Sequence, residues 1–152
     1  MYQQDYADNP RDYSARYYQL ELGASRPSWG VRAGIEVLSG DPRLAGHVFQ
    51  TPLASLHPFQ GWADKFLNTP PQGIRDSYVA GVVRLNGFEA QLAWHDFRAD
   101  AVSRSYGSEW DVSLGRKFGS HCELLLKAAD YSADGYAADT QKLWLQVLLS
   151  YP

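Results

Sequence analysis

Glu109 and Asp111 stand two residues apart, the spacing that places two carboxylates on one face of a strand. Such a pair could divide acid and base work between its members. The simpler reading is that both line a hydrated face and pair with Lys117, Lys127 or Lys142. His95 and Asp96 are neighbours on an extended run, so they point to opposite sides and make a poor dyad. His47 and His57 with Asp64 could share a metal in a loop, but their spacing matches no standard ligand pattern and a solvated loop is preferred. Cys122 is the lone cysteine, which excludes an internal disulfide and any multi-thiolate metal site. Its parity makes it a small apolar filler rather than a nucleophile. No catalytic residue, metal site or cofactor is expected, and the chain reads as a non-enzyme.

The elements that position these residues alternate with a period of two. Tyr18, Leu20, Leu22 and Ala24 oppose Tyr17, Gln19, Glu21 and Gly23. Trp29, Val31, Ala33, Ile35 and Val37 oppose Gly30, Arg32, Gly34 and Glu36. The pattern recurs over residues 75–85, 88–95, 109–118, 122–129 and 142–151, which makes seven strands, with residues 1–6 as the end of an eighth. Asn86-Gly87 predicts a type I′ hairpin turn, since both central residues need positive φ. Residues 41–74 carry prolines at 42, 52, 58, 70 and 71 and cannot form one strand. They are expected to form a long loop with a short helix around Gly61 to Leu67, either capping the exterior or folding inward to narrow a pore.

Connection lengths alternate: short at 25–28, 86–87 and 119–121, and longer at 7–12, 41–74, 99–105 and 133–139. An up-and-down order places all the short turns at one end, as in outer-membrane barrels. On the apolar parity Trp29, Phe88, Phe118 and Tyr151 fall beside the short-turn end, and Trp94 and Trp110 toward the other. Six to eight residues of tilted strand separate the two sets, roughly 15–20 Å along a barrel axis, which suits two interfacial girdles. The other parity carries Glu21, Arg32, Glu36, Arg84, Glu89, Gln91, His95, Glu109, Asp111, Lys117, Glu123, Lys127 and Lys142, the expected pore-lining, solute-guiding set. Charges at that density need water or paired counter-charges.

The whole of 1–152 therefore reads as one all-β, antiparallel, up-and-down membrane barrel segment. Apolar runs such as residues 78–83 and 143–149 fall far short of the ~20 residues of a membrane helix. Net charge of -3 and pI near 5.7 give no reason to expect nucleic acid as a partner. The chain opens without a basic, apolar, then small-residue leader, so it is expected to be a piece of a longer exported protein.

The segment Phe49-Gln50-Thr51-Pro52-Leu53, followed by Gly61-Trp62-Ala63-Asp64-Lys65-Phe66-Leu67, resembles the long loop of the alginate export family of outer-membrane porins. Residues 94–97 (Trp-His-Asp-Phe), 106–111 (Tyr-Gly-Ser-Glu-Trp-Asp) and 139–146 (Asp-Thr-Gln-Lys-Leu-Trp-Leu-Gln) extend the likeness over nearly the whole chain. The resemblance implies a monomeric barrel of about eighteen strands, of which these are the C-terminal seven or eight. It marks Phe49, Trp62, Asp64 and Phe66 as the loop motif.

The expected function is a porin-like channel of the bacterial outer membrane, passing or exporting a hydrophilic solute or polysaccharide, an anion included. Its partners would be outer-membrane lipid and the barrel-assembly machinery. Two rivals stand beside it: a self-contained eight-stranded barrel acting as an anchor or adhesion protein, and a soluble lipocalin-like binding protein.

Overall fold

The computed structural model describes residues 2–4, 14–43, 46–51 and 60–151, with backbone alone for 2–4. Eight strands follow one another in a single antiparallel sheet in chain order. They are β1 (Tyr2–Gln4), β2 (Ala15–Arg26), β3 (Trp29–Leu38), β4 (Ile74–Leu85), β5 (Phe88–Arg98), β6 (Ser105–Phe118), β7 (Cys122–Ala133) and β8 (Thr140–Leu149). The expected strands are thus present, and residues 2–4 supply the eighth. Among the described residues β1 and β8 do not pair, so the sheet has two edges.

Tight hairpins join β2 to β3 through Pro27-Ser28 and β4 to β5 through Asn86-Gly87. Positive φ at Asn86 (51°) and Gly87 (79°) confirms the type I′ turn. Residues 119–121 join β6 to β7, so these three short turns lie at one end and the longer connections at the other. The register slips once, between Phe97 and Arg98. Beyond that irregularity Tyr106 is carried onto the polar face, against the parity of Trp110 and Val112.

No helix forms at Gly61 to Leu67. Turns replace it, with positive φ at Gln60 (51°), Gly61 (78°) and Asp64 (57°), values that a right-handed helix does not admit.

The buried core lies on one face of the sheet, beside the loop. Leu38, Phe66, Ile74, Phe97, Tyr106 and Tyr131 form its centre, near the long-connection end and under the loop, on the polar parity of the sheet. Most of the Leu and Val parity is exposed: Leu22 is 74% exposed, Leu143 73% and Leu145 69%, with Val37 at the long-connection end an exception that is buried. Among the described residues the apolar face is thus largely uncovered across β2 to β8, while on the other face Glu36, Asp76, Glu109 and Asp111 are buried and Arg32, Arg84 and Lys117 stay exposed.

Candidate functional site: a loop seated on the charged face

Phe66 anchors the loop among rings. Its centroid is 4.6 Å from Phe97, 5.3 Å from Tyr136, 5.8 Å from Tyr106 and 6.2 Å from Tyr131. The tyrosines sit here because each hydroxyl finds a backbone acceptor: Tyr106 donates to Gly73 O (3.1 Å) and Tyr131 to Tyr106 O (2.5 Å). Phe49, at the start of the motif, stacks on Tyr17 at 5.6 Å.

Beside this anchor the loop backbone meets the carboxylates. The Ala63 N–H donates to Glu109 Oε1 (2.6 Å), and the Trp62 N–H to Asp111 Oδ2 (3.3 Å). Gln60 Nε2 donates to Glu36 Oε2 (2.6 Å), whose other oxygen accepts from the Tyr17 hydroxyl (2.9 Å). Gly61 lies so close that a Cβ there would sit 2.6 Å from Glu109 Oε2. Only glycine combines that approach with φ of 78°. Glu109 and Asp111 are fully buried, and loop amides offset part of the cost of desolvating them.

The expected pairing of these two carboxylates with lysines is not what forms. Lys117 lies 3.8 Å from Glu123, its registered partner across β6 and β7. Lys142 binds loop Asp64 (2.8 Å), and Lys127 stands 4.0 Å over the Trp62 ring. Lys127 still acts on Asp111 through space, and His95 Nε2 lies 3.7 Å from Asp111 Oδ2. His95 Nδ1 is in turn 2.9 Å from Asp76 Oδ2. Asp96 points the other way, to Arg98 (2.7 Å), as adjacent strand positions must.

Toward the short turns the same face carries registered or diagonal ion pairs. Arg84 meets Glu89 at 2.6 Å, and Arg32 meets Glu21 at 3.7 Å, while Tyr78 donates to Glu21 (2.6 Å). Arg84, Glu89 and Gln91 line two open cavities of about 520 and 710 Å³, the smaller also lined by Glu21 and Arg32 and the larger by Trp62 and Lys127. The residues expected on the polar parity all lie there, but divide into a set holding the loop and a set facing open space.

No protein-family model, curated protein or solved structure matches this chain.

Of the metal hypothesis, Asp64 is committed to Lys142, and His57 lies outside the described residues, as do Pro52 and Leu53 of the loop motif. Among the described residues no His, Cys, Asp and Glu group has metal-binding geometry. Cys122 is a free thiol opposite Leu149, on the apolar parity.

Sequence reasoning missed Asp76, Gln60, Tyr106 and Tyr136. Asp76 shares the parity of Tyr78 and Arg84 and was open to detection. Tyr106 was hidden by the register slip, and Gln60 and Tyr136 by lying in loops without period.

Of the aromatics expected at interfaces, Trp29, Phe88, Trp110, Phe118 and Tyr151 are exposed on the apolar side. Trp94 is half-buried against Trp110, its partner across the strands, with centroids 6.5 Å apart.

Proposed function

We propose that these strands belong to an outer-membrane β-barrel that passes a hydrophilic solute, with residues 60–73 forming a constriction across its lumen. The observation carrying this reading is the inverted distribution of surfaces: most leucines and valines exposed on one parity, carboxylates and a hydrogen-bonded loop on the other. Water would penalise so large an apolar face, whereas hydrocarbon rewards it. Among the described residues β1 and β8 do not pair with each other, and in lipid such edges would have to close, on one another or within a larger sheet, because unpaired backbone groups are costly there. Within five residues the loop contacts β3, β6, β7 and β8. The side chains of Gln60, Asp64 and Lys142 extend the reach of this short stretch, so that it bridges from β3 to β8.

One further reading has an observation of its own. Eight strands suffice for the smallest membrane barrels, and aromatic loop residues fill one end, which suits a plugged anchor. Planar-bilayer recording of the full-length protein separates the readings. Discrete conductance steps with ion selectivity support the channel; an inserted but silent barrel supports the anchor. A monodisperse monomer in detergent-free buffer overturns both.

A further inference from the structure

Arg116 interrupts the otherwise apolar parity of β6 and is exposed there. Its guanidinium carbon lies 4.4 Å from the Phe88 ring centre and 5.0 Å from that of Phe118. Aromatic faces cover the flat sides of a guanidinium and leave its N–H edge open to an acceptor. Among the described residues no carboxylate pairs with it.

The rest of that rim has the same sign. Arg26, opposite Trp29 across the β2–β3 hairpin, shares the apolar face, and from Pro27 to His121 the short turns add no acid. At the far end, by contrast, Arg98 is held by Asp96 at 2.7 Å and Arg75 faces Asp100 at 3.6 Å. One end thus pairs its outward guanidiniums with carboxylates, whereas at the other Arg26 reaches the Ser25 carbonyl (3.2 Å) and, among the described residues, neither Arg26 nor Arg116 pairs with a carboxylate. Leu114 and Leu124, the latter directly opposite Arg116, continue the surface toward the middle of the sheet.

We infer that Arg116, framed by Phe88 and Phe118, binds the phosphate of an anionic glycerophospholipid whose acyl chains lie along Leu114 and Leu124. The inference rests on the membrane reading and adds a defined lipid site to it. The phosphodiester supplies the acceptor oxygens that the open guanidinium edge lacks, and a charge-assisted pair of this kind is shorter and stronger than a neutral one. The chains complete the contact, since an isolated anion would have no use for the flanking leucines.

The test uses the full-length protein in neutral detergent, titrated with short-chain phosphatidylglycerol, with short-chain phosphatidylcholine and with inorganic phosphate, bound lipid being counted by native mass spectrometry. Phosphatidylglycerol is expected to bind in preference to phosphatidylcholine. Arg116→Gln is expected to weaken it roughly tenfold, the size of one charge-assisted hydrogen bond, and Arg116→Lys to restore part of the loss. Arg98→Gln, at the opposite rim, is expected to change nothing. Assembly of each variant is checked by its heat-dependent shift in electrophoretic mobility. Unchanged phosphatidylglycerol affinity in an assembled Arg116→Gln barrel overturns the site and leaves the membrane reading intact. Displacement of the lipid by inorganic phosphate at equal concentration overturns the lipid as occupant. A protein that stays monomeric without detergent overturns the membrane reading itself.

Discussion

Gly61 shows how much of the loop's position depends on a missing side chain. Valine there would meet the Glu109 carboxylate and demand an unfavourable φ, so Gly61→Val is expected to unseat the segment from β6. On the channel reading conductance rises, and an unchanged trace places the loop outside the conducting path. Phe66→Ala removes the aromatic anchor at a cost of about 3–5 kcal/mol, and is expected to raise conductance and expose residues 60–69 to limited proteolysis. Asp64→Asn removes a partly exposed ion pair with Lys142. It is expected to be far milder, about 0–1 kcal/mol, and to leave the loop seated. Parity in the sequence identified Glu36, His95, Glu109 and Asp111 as sharing a face. Their partners were not legible, because contacts between a loop and a sheet carry no periodic signal and each lysine chooses among several carboxylates by distance alone.

At the level of the elements, alternation made the strands readable to within a few residues, and turn chemistry fixed Asn86-Gly87 on its own. Reading failed where periodicity did. The apolar spacing of Trp62, Ala63, Phe66 and Leu67 imitates one face of a helix, yet Phe66 serves as a contact to rings on three strands, Leu67 is exposed, and glycine and left-handed residues break the winding. The β6 start was likewise read late, because the slip beside Phe97 reverses the parity of Tyr106. A substitution at the hairpin isolates its contribution: Gly87→Val forces a branched residue into φ near 79°. It is expected to cost about 1–2 kcal/mol and to slow assembly, measured as the rate at which the heat-shifted electrophoretic form appears, without altering the seated loop.

For the molecule as a whole the decisive property is which surface meets the surroundings. Leu145, midway along β8 and strongly exposed, reports on it. Leu145→Arg is expected to destabilise an inserted barrel by about 2–4 kcal/mol, read by urea unfolding in lipid vesicles. In a water-bathed protein the same change would leave stability unaltered or improve solubility. The segment of residues 60–73 precedes in the chain most of the strands that grip it. Its carboxylate seat is on β6, its cation–ring contact on β7, and its salt bridge on β8, the last of the described strands. On the channel reading, if strands join the wall in order, the loop completes its docking only once β8 arrives. A wall still lacking β8 then has a more open middle, and the passage would be narrowed as that strand is added.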